Sequence, residues 1–130
     1  GGGALMKKMQ AEVAAFCFAV VLAFILSTPA VEVQAQSELP DVGCAREDRL
    51  RSTDGSTSTK VTFVNHSALT VRTYWLNYQG KRVFYAEVAP GSSYEQQTYV
   101  THPWVITNSR SGDCVAIYLP TRSPGIVAIR

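Results

Sequence analysis

The sequence predicts an all-β domain of about seven short strands, a sandwich or barrel, behind an N-terminal export signal. Three observations point there. From Lys60 onward, β-branched and aromatic runs recur roughly every 8–12 residues, each closed by turn residues. No long helical pattern and no internal repeat interrupts them. Two cysteines, Cys44 and Cys114, stand at either side of most of these runs. Composition agrees: 46% of the chain is hydrophobic and 17% charged, the reverse of a disordered chain. With 12 Lys and Arg against 10 Asp and Glu, the net charge is +2. That is too little for an electrostatic nucleic-acid footprint, so no such partner is expected.

The chain is expected to divide into three parts. Residues 1–35 read as an address. Gly1–Leu5 precede Met6 and look like a cloning remnant or a frame extension. Lys7 and Lys8 then lead into the uncharged run Val13–Leu26, broken by Ser27, Thr28 and Pro29. Val33-Gln34-Ala35 supplies small residues at −3 and −1 before Gln36. This is signal-peptide order, with cleavage near Ala35 and a secreted or periplasmic product. The run is short for a bilayer span. An uncleaved anchor is the alternative, and the only expected route to a membrane. Residues 36–58 form a polar lead-in with one helical turn expected over Ala45–Leu50. Residues 59–130 form the β domain.

Cys17 lies inside the apolar run and leaves with the signal. Cys44 and Cys114 remain, and in an exported chain they are best read as one disulfide. Closing so long a loop constrains the unfolded chain by roughly 4 kcal/mol. Lipoprotein spacing is wrong, since Asp41 stands at −3 from Cys44. Zinc is not expected, because His66 and His102 are not at ligand spacing with either cysteine. A catalytic Cys–His pair stays a formal alternative.

The strands follow in order. Lys60–Asn65 (KVTFVN) leads to an Asn65-His66-Ser67 turn. Leu69–Asn77 (LTVRTYWLN) carries Val71, Thr73 and Trp75 on one face and Arg72, Tyr74 and Leu76 on the other. Gln79-Gly80 turns into Lys81–Val88, and Pro90-Gly91 into the polar strand Ser93–Tyr99. Trp104–Thr107, Cys114–Leu119 and Ile126–Ile129 complete the set. Asn65-His66-Ser67 formally fits a glycosylation acceptor, but Asn65 is read as a turn residue and His66 as solvated.

The strings FVNHS, YWLNYQG, Tyr85, Pro90-Gly91 and TYVTHPW resemble the β-domain family of the von Hippel–Lindau tumour suppressor. Small exported bacterial proteins that carry this domain alone look similar. The resemblance runs from about Lys60 to Pro120. It implies an immunoglobulin-like or prealbumin-like β-sandwich. In the animal protein this domain binds a peptide containing 4-hydroxyproline, and the pocket residues can be carried over singly. Trp75 matches the tryptophan of the W-L-N motif. Tyr85 matches the tyrosine after the next turn, and Thr98 stands for a serine. Tyr99 follows it, and His102 and Trp104 match an H-x-W motif. There are departures: Gln97 replaces a histidine, Pro103 a leucine, and Asp54 and Ser56 replace upstream polar and basic residues. The animal protein's ligase-recruiting helical domain has no counterpart here, so no ubiquitin-ligase partner is expected.

The resemblance implies a site with aromatic walls from Trp75, Tyr85 and Trp104. Thr98 and His102 would meet a ligand hydroxyl as one donor and one acceptor. The other reading is packing: both tryptophans fill the sandwich core, Tyr85 is a cross-strand aromatic and Thr98 an ordinary strand residue. The expected function is a non-enzymatic binding module for an extended peptide bearing a hydroxyproline-like group. No cofactor or metal is expected. The competing function is a structural or protein-interaction domain of the cell envelope with a vestigial pocket. A hydrolase is disfavoured, because His102 has no nucleophile and acid at triad spacing.

Overall fold

The computed structural model describes residues 36–130, which form one compact unit. The signal-peptide features, Cys17 included, lie outside the described residues. Eight strands are present: β1 (Ser37–Glu38), β2 (Ser58–Asn65), β3 (Val71–Leu76), β4 (Arg82–Val88), β5 (Ser93–Tyr99), β6 (Trp104–Asn108), β7 (Cys114–Tyr118) and β8 (Gly125–Ile129). They form two four-stranded sheets, ordered β1-β8-β2-β5 and β4-β3-β6-β7. Seven strands correspond to the expected runs; the eighth is the two-residue β1. A 3₁₀ helix, Cys44–Arg49, occupies most of the expected helical turn. Among the described residues, no helix is long and apolar enough to cross a membrane.

Alternation along each strand builds the core. Val61 and Phe63 from β2, Val71 from β3, Trp104 and Ile106 from β6, and Val127 and Ile129 from β8 meet between the sheets. Each such side chain taken fully from water contributes roughly 1.5–3 kcal/mol. The opposite face of the second sheet is also apolar. Leu76, Val105 and Ile117 are fully buried there, under Val42 and Leu50 of the lead-in, with Tyr74 and Cys114 of the sheet beside them. The lead-in is therefore a third layer laid across that sheet. The Cys44–Cys114 disulfide fastens it, with Cα atoms 5.9 Å apart. Arg82 grips it a second time, donating from Nε and Nη2 to the two Glu47 carboxylate oxygens at 2.6 and 2.7 Å.

Two local devices fix the frame. Gly125 opens β8 because a Cβ there would lie 2.8 Å from Leu39 Cγ; Leu39 fills that space and holds β1 in place. Asn65 is the last residue of β2 and is fully buried, not part of an open turn. Its Nδ2 donates to the Leu69 and Val88 carbonyls at 2.8 and 3.0 Å. Its Oδ1 accepts from the Ser67 amide and hydroxyl at 3.0 and 2.7 Å. Burial is compensated because the whole side-chain amide is engaged, which leaves no nitrogen for a glycan. His66, beside it, is exposed.

Candidate binding cleft

Strands β4 and β5 each end a sheet. Between them lies a cleft of about 320 Å³. All six residues expected from the sequence line it: Trp75, Tyr85, Thr98, Tyr99, His102 and Trp104. Tyr78, Gln96 and Gln97 join them.

Each side chain reaches the cleft for a local reason. Trp75 shares the inner face of β3 with Val71 and Thr73, and packs against the core while remaining partly accessible. Its indole Nε1 donates to Ser52 Oγ at 2.7 Å, and that hydroxyl donates to the Leu76 carbonyl at 2.6 Å. Trp104, only 2% exposed, meets Phe63 edge-on at 5.7 Å and closes the floor. It is both core and cleft, so the packing and wall readings do not exclude each other. Tyr85 arrives through a β-bulge. Register passes from Thr73↔Ala86 to Tyr74↔Phe84, leaving Tyr85 unopposed. Such an extra residue bends the strand and re-aims its side chain. The Tyr85 ring meets Trp104 edge-on at 4.9 Å and Trp75 at 6.5 Å.

The polar end is built from Thr98 and His102. Thr98 is buried on β5, and its Oγ1 accepts from Trp104 Nε1 at 2.9 Å. Its own O–H remains free to donate. His102 follows Thr101, whose φ of 81° lies in the left-handed region. A β-branched residue resists that conformation, at a cost of order 1–3 kcal/mol. The Thr101 hydroxyl offsets it by accepting from the Asp54 amide at 3.1 Å and donating to the Asp54 carbonyl at 2.8 Å. The turn so held stacks the imidazole on Trp75, with centroids 5.3 Å apart and planes 23° from parallel. The Tyr99 ring meets the imidazole at a tilt of 53°, with centroids 5.1 Å apart.

Burial pushes the His102 pKa below its ordinary 6.5, while a hydrogen bond to the Asp54 backbone and the Asp54 carboxylate act against that shift. The ring is therefore neutral at pH 7. Nε2 lies 3.2 Å from the Tyr78 hydroxyl. A neutral imidazole offers one N–H donor and one bare acceptor nitrogen. The Asp54 carboxyl is itself held below its usual range by hydrogen bonds from the Ser56 side chain and backbone.

The family model for the VHL beta domain matches residues 50–119, more than half of the chain. The chain belongs to the von Hippel–Lindau β-domain family. The match takes in β2 through β7, and with them every cleft residue named above. It begins at Leu50, so part of the strap across the second sheet lies inside the family's extent.

Sequence reasoning gave no role to Tyr78, Gln96, Ser52, Gly55 or Thr101 in this von Hippel–Lindau-type cleft. Tyr78 stood inside the YWLNYQG string without a role. Thr101 likewise stood inside TYVTHPW without a role, and Ser52 and Gly55 gave no functional signal, because their work depends on chain segments brought together only by folding. Gly55 permits close approach: a Cβ there would lie 2.9 Å from the Tyr78 hydroxyl, which would have to shift, and 3.6 Å from His102 Nε2. Among the described residues, no three His, Cys, Asp or Glu side chains cluster as metal ligands.

Proposed function

We propose that this chain is an exported, non-enzymatic binding module. Its cleft takes a hydroxylated five-membered ring, of the 4-hydroxyproline type, within an extended peptide. One observation carries the reading. Three flat aromatic walls and two polar groups, the Thr98 hydroxyl and the His102 imidazole, converge on one partly open space. Trp75, Tyr85 and Trp104 supply contact area with few torsions to freeze. The Thr98 O–H donates, and the Nδ1-protonated tautomer of His102 accepts at Nε2, which suits a single guest hydroxyl. The β domains of this family are binding domains, which supports recognition over turnover. The disulfide supports export, since such bonds persist in oxidising compartments.

Discrimination rests mainly on Thr98. A plain proline guest would leave its O–H unpaired in a desolvated site, at a cost of roughly 1–3 kcal/mol. His102 Nε2 still has Tyr78 in that case. Calorimetry on residues 36–130, with matched peptides carrying 4-hydroxyproline or proline, tests this. The hydroxylated peptide should bind roughly 5- to 150-fold more tightly. Equal heats, or none from either peptide, would overturn the reading and leave an envelope-interaction domain in its place.

A further inference from the structure

Tyr78 enters the reading above only as a spare partner for His102, yet its hydroxyl meets the nitrogen that the guest hydroxyl would use. The phenol O–H lies 3.2 Å from His102 Nε2. Its ring stands edge-on to both His102 and Trp75, with centroids 5.5 and 5.7 Å away. Tyr78 is 43% exposed, and it sits in the turn between β3 and β4 and not within a strand. A half-exposed side chain on a turn can rotate outward into water, where its hydroxyl finds other partners. A lone pair on Nε2 accepts one in-plane hydrogen bond. The phenol and a guest hydroxyl therefore compete for the same electrons.

We infer that Tyr78 sets how sharply the cleft separates hydroxylated from plain guests, an inference that rests on the proposed binding function. When the guest lacks a hydroxyl, Tyr78 remains on Nε2 and spares that nitrogen the cost of being unpaired. When the guest carries one, Tyr78 yields the nitrogen and turns to solvent. Tyr78 thus favours plain guests relative to hydroxylated ones and damps the selectivity that Thr98 creates. Removing the phenol oxygen makes Nε2 an orphan acceptor for every guest without a hydroxyl. It also frees the nitrogen for every guest that has one.

Tyr78→Phe keeps the ring and deletes only the competitor. Calorimetry on this variant and the parent chain, with the hydroxyproline and proline peptides, should show the affinity ratio rising roughly 2- to 10-fold in the variant, the worth of one neutral hydrogen bond. Tyr78→Leu removes the rim ring as well. It should weaken both peptides yet keep the raised ratio. A ratio unchanged or lowered in Tyr78→Phe, with binding to the parent chain intact, would overturn the role of Tyr78 alone. No heat from either peptide in any of the three proteins would overturn the binding reading, and the role of Tyr78 with it.

Discussion

At one end of the sandwich, the lead-in lies along the edge of β7. Asp41 Oδ1 accepts from the Ile117 amide at 3.0 Å, and the Val42 amide donates to the Ile117 carbonyl at 2.9 Å. Leu39 donates to the Ile126 carbonyl at 2.8 Å and packs over Gly125. At the other end, β4 and β5 finish their sheets with no further strand beside them among the described residues. Uncovered edges present unpaired N–H and C=O groups, and proteins usually blunt them. Here the covering is confined to the end away from the cleft. The difference separates two tasks: one end is stapled for stability, and the other keeps aromatic and polar groups accessible. The strap connects them, because the chain that covers β7 continues to Ser52 and Asp54, which brace Trp75 and the His102 turn.

If this division holds, changes at the stapled end should act on stability. The largest effect is expected from the double change Cys44→Ser and Cys114→Ser. Releasing a bond that joins residues 70 apart should lower unfolding free energy by roughly 4 kcal/mol in denaturant titrations. Asp41→Ala comes next: it strips the Ile117 amide of its acceptor and should cost roughly 1–3 kcal/mol. Peptide affinity measured on the folded Asp41 variant should not change. A parallel loss of affinity would show that the two ends are not independent.

Changes at the cleft end should act on recognition. His102→Ala should bring the affinity for the hydroxyproline peptide down toward that for the proline peptide, as read by calorimetry. Acid should do the same more mildly. Because burial holds the folded His102 pKa below 6.5, the ring stays neutral at that pH and protonates only further down. Stability should decline first, as pH drops below 6.5 and the unfolded chain takes up that proton. Affinity for the hydroxylated peptide should fall further down, where the folded ring protonates and ceases to accept. An affinity that is flat from pH 7 to 5 would separate His102 from the recognition step.

Much of this was legible in the residues. Ser93–Tyr99 gave its own bounds through Pro90-Gly91 and an alternating polar face. The alternation in LTVRTYWLN assigned Val71 and Trp75 to one side and Leu76 to the other, as the two apolar clusters bear out. The expected strand was too long, because Leu69 stays exposed and Asn77 Oδ1 starts the next turn by accepting from Gln79 and Lys81. Strand β1 was not legible: Ser37 and Glu38 carry no β signal, and parallel pairing with β8 alone makes them a strand. Nor could Val42 and Leu50 be recognised as the cover of a second apolar face, since a polar lead-in has no period to read. The cleft divides similarly. Its aromatic and polar members were recognisable through the family resemblance, residue by residue, whereas their types alone fitted core packing equally well. The bulge at Tyr85, the left-handed Thr101 and the contact of Tyr78 with His102 depend on register and loop packing, which spacing does not encode.

The sequence contains two tryptophans, and both line the cleft. A proton–nitrogen correlation spectrum of the ¹⁵N-labelled domain therefore reports the site through two indole signals. Titration with the 4-hydroxyproline peptide should move both indole resonances, together with the amides of Thr98 and His102. The residues at β7 and the disulfide should stay still. Shifts confined to the outer surface around Leu69 and Phe84, with both indoles unmoved, would contradict the assignment of this cleft as the binding site.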